Sequence, residues 1–251
     1  MATQLARIPV TLAYATILTA VTTVLVALGP DMQDRVDDAA STNLHNLRHG
    51  HYGTLLGSAF VVDAGPIYRW LPGLVCLLAL AELFWRSGRL VLTCTVGHVG
   101  ATVLVAVGLA VAIRAGWTPA AVGHDVDVGM SYGAAAVLGA LTAVIPARWR
   151  SAWIGWWLAV ALAVVAISRY FTDVGHAVAL LLGKVLSGWL CRADRWTTGR
   201  LLMLVVAGVF GFLLLAGDGL QLVVAFGAGA AGGLAGYALG NAFGERLPHH
   251  L

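Results

Sequence analysis

Residues 90–113 read LVLTCTVGHVGATVLVAVGLAVAI, a stretch without a single Asp, Glu, Lys or Arg. A helix needs about 20 mostly apolar residues to cross the hydrocarbon core of a bilayer, and this run meets that length. Its apolar residues are continuous rather than alternating, so it does not read as a strand of a membrane barrel. Seven more segments come near the same length: 8–29, 67–85, 127–146, 151–168, 171–190, 199–216 and 219–241. Two of the eight are short or glycine-rich, so the pattern fits either seven or eight crossings. The sequence reads as an all-α polytopic membrane helix bundle.

Composition points the same way. Of 251 residues, 59% are hydrophobic and 11% charged, where a soluble domain carries roughly a quarter charged. No polar stretch is long enough for a separate soluble domain, so residues 1–251 read as one transmembrane domain. The net charge of +3 comes from arginines in short clusters between apolar runs. That is no nucleic-acid stripe: the expected environment is the lipid bilayer, with no nucleic-acid partner. Cys76, Cys94 and Cys191 form no CxxC pair and read as buried or lipid-facing small residues. Ile8 to Gly29 is longer than the h-region of a secretory signal and no A-x-A site follows, so a retained first helix is expected.

Eight crossings put both termini on one side, and the charges say which. Arg7, Arg86, Arg89, Arg148, Arg150, Arg192, Arg195, Arg200 and Arg246 fall on the side of the N-terminus. Asp31, Asp34, Asp37, Asp38, Asp63, Asp125, Asp127, Asp173 and Asp218 fall opposite. The positive-inside rule makes the arginine side cytoplasmic, and the cell membrane is the expected location. The long connection 30–66 begins polar and then turns apolar (GTLLGSAFVV) without being long enough to span, which predicts a piece partly in the membrane interface. Trp149, Trp153, Trp156 and Trp157 beside Arg148 and Arg150 fit an interfacial belt. Gly232, Gly236, Gly240 and Gly244 share one helix face and predict close helix packing.

Two residues stand out for chemistry. Ser131 lies about four residues inside the fourth apolar segment, about 6 Å deep, and His176 lies at similar depth in the sixth. Both segments run in the same direction. Ser131, Ala135, Gly139 and Ala143 share a stripe, as do His176, Ala179 and Gly183. Small-residue stripes let helices approach closely, and an intramembrane histidine is a functional candidate by default. A serine within reach of an imidazole supports nucleophilic catalysis. Packing alone also accounts for both stripes.

The stretch VGMSYGAAAVLGAL (128–141) resembles the V-G-A-S-G-A-x-x-G-L-L-G-A-L of the rhomboid family of intramembrane serine proteases, keeping Gly129, Ser131, Gly139, Ala140 and Leu141. Tyr132 replaces the glycine after the serine. DVGHAVALLLG (173–183) is similar to the family's histidine motif at Asp173, His176 and Gly183, with Ala179 for its first glycine. RSGRLVLTCTVGHVGATVL (86–104) looks like the family's G-S-x-R-F-L-x-L-Y-x-x-S-G, and HGHYGTLLGSAF (49–60) like its H-G-D-W-L-H-L-L-G-N-M-L. The resemblance spans about residues 45–190. It implies a rhomboid-like six-helix core over about 8–190 with extra helices over about 199–241. It implies Ser131 as nucleophile and His176 as base, acting on a transmembrane protein substrate with no metal or organic cofactor. The family's oxyanion-stabilising histidine and asparagine fall on Thr54 and Ser58.

The competing expectation is a pseudoprotease that binds transmembrane clients without cutting them. A lipid-phosphate phosphatase is a poorer fit: Ser168-Arg169 precede His176, but the histidine comes one residue late and Leu180 stands where an aspartate is needed. A transporter lacks midplane charged pairs. His45, His49 and His51 have the chemistry of zinc ligands but no accompanying pattern, and solvated loop histidines explain them. His124, with Asp125 and Asp127, borders the serine. Lys184 is expected to snorkel, and His98 to hydrogen-bond a neighbour without a catalytic role.

Overall fold

The structure, a computed structural model, describes residues 6–62, 67–168, 170–190 and 196–244. Asp63, Arg169, Cys191, Arg192, Arg195 and Arg246 lie outside the described residues. The first half comprises α1 (Pro9–Leu28), α2 (Pro30–Ala40), α3 (Leu44–Arg48), α4 (Thr54–Gly57, continued as a 3-10 turn Ser58–Phe60), α5 (Ile67–Trp85) and α6 (Ser87–Arg114). A 3-10 turn, Ala120–His124, leads to α7 (Ser131–Ala140, continued as Leu141–Ala143) and α8 (Ala147–Ile167). Then come α9 (Phe171–Leu186, continued as Ser187–Trp189), α10 (Thr198–Ala216) and α11 (Gly219–Gly244). Proline opens α1 and α2, and the Asn43 and Thr197 side chains accept backbone N–H groups at the starts of α3 and α10. Among the described residues five helices, α1, α6, α8, α10 and α11, are long and apolar enough to cross a bilayer. The protein is an integral, multi-pass, all-α membrane bundle.

The segment 127–146 departs most from expectation. Its helix begins only at Ser131, because Asp127–Met130 form a loop with Gly129 at φ +121°. At 1.5 Å per residue, Ser131–Ala143 spans about 20 Å, less than the hydrocarbon thickness of about 30 Å. Every residue from Tyr132 to Ala143 is buried. Neighbours close in on α7 because its side chains are small. A methyl group at Gly139 would overlap the Leu180 carbonyl of α9, and one at Gly183 the Ala136 carbonyl of α7. Gly97 of α6 meets Ala136 in the same way.

The α8–α11 pair is equally tight: Gly232 lies against Gly155 and Ala159, and Gly236 and Gly240 against Ser151. The tryptophans correct the interfacial-belt expectation in part. Trp149 stays 49% exposed, but Trp157 is 4% exposed, and Trp156 packs on Trp157, Phe212 and Phe226. Indole area buried against α10 and α11 outweighs an interfacial position. The segment GTLLGSAFVV has two sides: Ser58, Val61 and Val62 are buried, and Leu56 is 58% exposed. Tyr14 Oη donates to the Ala59 carbonyl at 2.6 Å.

At the arginine end a buried acid ties three helices. Glu82 of α5, 1% exposed, accepts from the Val10 and Thr11 N–H groups at 3.0 and 2.9 Å. It also accepts from the Thr11 hydroxyl at 2.7 Å and the Ser87 hydroxyl at 2.6 Å. Its carboxylate thereby supplies the partners that the first amides of α1 lack within their own helix. Nearby, the Arg200 guanidinium lies 4.5 Å from the centre of the Phe84 ring. Glu82→Ala leaves those buried donors unpaired and is expected to cost about 3 kcal/mol. Thermal denaturation in detergent checks this, with lipid-facing Leu213→Ala expected to change little.

Candidate functional site

Ser131 is the first residue of α7 and half-buried, and its hydroxyl makes no hydrogen bond among the described residues. The residue facing α9 is its neighbour. The Tyr132 ring, 3% exposed, stands edge-on to the His176 imidazole at 5.3 Å and 78°. The same ring lies 6.2 Å from that of His98 on α6. Tyr132 fits there because residue 175 is glycine: a methyl group at that position would collide with the tyrosine ring. The face of α7 that meets α9 comprises Tyr132, Ala135, Ala136 and Gly139. Ser131 sits about 100° around the helix from Tyr132.

His176 Nδ1 lies 3.7 Å from Asp173 Oδ1, beyond hydrogen-bond length. Neither imidazole nitrogen of His176 has a hydrogen-bond partner among the described residues, and the Tyr132 hydroxyl is likewise buried without a well-formed hydrogen bond, its polar neighbour being the Asp127 carboxyl. Ser168 donates a short hydrogen bond to Asp173, and the Tyr170 N–H donates to the Ser168 hydroxyl at 3.0 Å. Asp173 is thus held by the turn that joins α8 to α9.

The Thr54 and Ser58 hydroxyls, which the resemblance would place at the oxyanion, are already engaged. Thr54 Oγ1 donates to the His51 carbonyl at 2.7 Å, the local backbone bond that threonine readily makes. Ser58, fully buried, hydrogen-bonds through Oγ to His98 Nε2 at 3.0 Å. The Ser58 carbonyl accepts from the Gly129 N–H at 2.9 Å. Gly129 therefore serves a turn of positive φ and an inter-loop bond, while Gly139, Ala179 and Gly183 stand at the α7–α9 crossing.

The loop leading to Ser131 is held from the other side by residues 41–42. The Asp127 N–H donates to Ser41 Oγ at 2.9 Å, and the Thr42 N–H donates to the Asp127 carbonyl at 2.9 Å. The Thr42 hydroxyl also reaches Asp127 Oδ2 at 3.2 Å. Burial pushes the Asp127 carboxyl up from the ordinary range, and the Thr42 bond works against that shift.

A profile described as rhomboid-like protein matches residues 3–195. The chain belongs to the rhomboid-like protein family. No curated protein and no solved structure matches it. The matched span ends before α10, so α10 and α11 lie beyond it.

Two features of this rhomboid-like protein escape sequence reasoning. The Ser58–His98 bond joins residues 40 apart, and only the presence of a histidine in an apolar run hinted at it. Tyr132 was visible as a departure from the family pattern, but not as the ring against His176. Tyr132→Phe removes a buried hydroxyl whose polar neighbour is the Asp127 carboxyl and is expected to cost no more than about 1 kcal/mol. Tyr132→Ala opens a cavity and is expected to cost about 3–5 kcal/mol, read by the same thermal denaturation.

His45, His49 and His124 gather at the acidic end, with ring centres 4.3 and 4.6 Å from that of His45. Among the described residues no group of three potential ligands is arranged to hold a metal. Desolvation lowers the His45 pKa from its ordinary value, and His49, His124 and His51 push the same way. A lowered folded-state pKa means that the unfolded chain takes up the proton first as pH falls. Stability is then intact above the ordinary imidazole range and declines once pH drops below about 6.5. Melting temperature is expected to fall between about pH 7.5 and 5.5, less steeply in His45→Gln.

Proposed function

We propose that this protein holds transmembrane segments of other proteins without cutting them, as a rhomboid pseudoprotease. The observation that carries the reading is the state of His176. A general base needs to lie within hydrogen-bond reach of the proton it removes, and here a tyrosine ring lies against the imidazole while both its nitrogens are unbonded. The engagement of Thr54 with a backbone carbonyl and of Ser58 with His98 adds support, because oxyanion donors have to be free and aimed in advance. By the positive-inside rule the arginine end and both termini face the cytoplasm of a cell membrane.

The second reading is an intramembrane serine protease with Ser131 as nucleophile and His176 as base. It is favoured by Asp173 Oδ1, 3.7 Å from His176 Nδ1, where a carboxylate orients an imidazole in serine hydrolases. The two readings separate cleanly. A fluorophosphonate probe applied to the protein in native membranes is expected to leave Ser131 unlabelled, and crosslinking is expected to recover the same transmembrane partners with wild type and Ser131→Ala. Labelling of Ser131 that disappears in His176→Ala would establish the protease instead.

A further inference from the structure

A cavity of about 620 Å³ lies between α8, α10 and α11 at the arginine end of the bundle. Its walls include Trp149, Trp153 and Trp156 of α8, Leu201 and Leu204 of α10, and Gly233 of α11. Trp156, packed on Phe212 and Phe226, closes the deep end, and the exposed Trp149 and Leu201 mark the mouth. Counted from Ala147, where α8 starts, Trp156 lies about 14 Å along the helix. One leaflet of hydrocarbon is about 15 Å deep, half of the whole core. The cavity therefore runs over the depth that a single layer of acyl chains occupies.

The mouth carries one charge. Arg148 lines it, is exposed, and holds its guanidinium 5.9 Å from the centre of the Trp149 ring. No carboxylate of the described residues is placed to neutralise it, because Glu82 is the one acid among them at this end and is tied to α1. Arg150 and Arg200 differ in reaching backbone carbonyls, those of Ile145 and Leu83.

We propose that this cavity holds one acyl chain of an anionic phospholipid whose phosphate pairs with Arg148. A chain covers the apolar walls, and a guanidinium at headgroup level holds a phosphate through two N–H groups at once. Basic pockets between membrane helices select anionic headgroups in this way. A phospholipid of zero net charge brings its own cation, which competes with Arg148 for the phosphate. A client helix crossing the bilayer would have to pass the deep end, which the Trp156, Phe212 and Phe226 rings close, whereas an acyl chain ends within its leaflet. Two walls, α10 and α11, lie beyond the residues that the rhomboid-like profile matches. The site therefore depends on the helices that extend the matched part, and it is separate from Ser131 and His176.

The test uses full-length protein in phosphatidylethanolamine vesicles containing a trace of lipid with a photoreactive group at mid-chain. The probe headgroup is either phosphatidylglycerol or phosphatidylethanolamine. The phosphatidylglycerol probe is expected to label residues 149–156 and 201–204 about fivefold more than the phosphatidylethanolamine probe. Arg148→Gln is expected to bring the two probes level while labelling continues. Leu201→Trp, at an exposed position on the mouth, is expected to remove labelling of 149–156 by both probes and to leave labelling of exposed Val24 and Val26 on α1 unchanged. Equal labelling by the two probes in the wild type, a preference that survives Arg148→Gln, or label on Val24 and Val26 with none on 149–156 would overturn the proposal. Reaction of Ser131 with a serine probe bears on none of these outcomes.

Discussion

A helix that is apolar on every side has to be covered on every side, and α7 imposes that demand on the bundle. Its length of about 20 Å falls short of the hydrocarbon thickness of about 30 Å, and backbone groups at its ends that water does not reach need other partners. Protein supplies the partners instead. Beyond its C-terminal turn, the Val144 carbonyl accepts from Trp196 Nε1 at 3.2 Å, and the Ile145 carbonyl from Arg150 Nη2 at 3.1 Å. Before its first turn, Ser41, Thr42 and Ser58 bond the backbone of Asp127 and Gly129. The turn after α4, the entry into α8 and the approach to α10 are all fixed by the ends of one short helix.

The same demand shapes the site. To be enclosed by α6 and α9 at backbone distance, α7 has to be built of alanine and glycine on those faces, as Gly97, Ala136, Gly139 and Gly183 show. Tyr132 is the one large side chain on the face toward α9. It is accommodated near the start of the helix, where Gly175 leaves room. An aromatic ring in that place lies edge-on to the His176 imidazole. A glycine there, as in the rhomboid pattern that this stretch resembles, would leave that side of the imidazole open.

How far this was legible in the sequence depended on the range of the interaction. Residues 67–85 and 199–216 became α5 and α10 almost residue for residue, because span length and hydropathy are local properties. The helix of 127–146 was overextended, because an apolar stretch and a buried loop read alike once tertiary contacts satisfy the loop. Of the stripe through Ser131, Gly139 meets α9 and Ala135 packs with Ala179, while the ring that reaches His176 comes from Tyr132, one residue on. With 100° per residue, Ser131 and Tyr132 are both compatible with a face that contains Gly139, and side-chain volume on the facing helix decides between them. Glu82 gave no signal at all, since its partners Val10 and Thr11 lie more than 70 residues away.

Ser58 is a structural joint. The resemblance to the rhomboid pattern would place an oxyanion-stabilising asparagine here. Serine is too short to reach outward from the same backbone, yet its hydroxyl is well placed for a short bond to an inward imidazole, and His98 provides it. The Ser58 carbonyl meanwhile bonds Gly129, two residues before Ser131. The segment is therefore pinned both to α6 and to the start of α7. An oxyanion site needs donors left without protein partners until the transition state forms, whereas a clamp needs donors and acceptors already satisfied. Thr54 and Ser58 are satisfied, which favours holding a segment in place over turning chemistry on it.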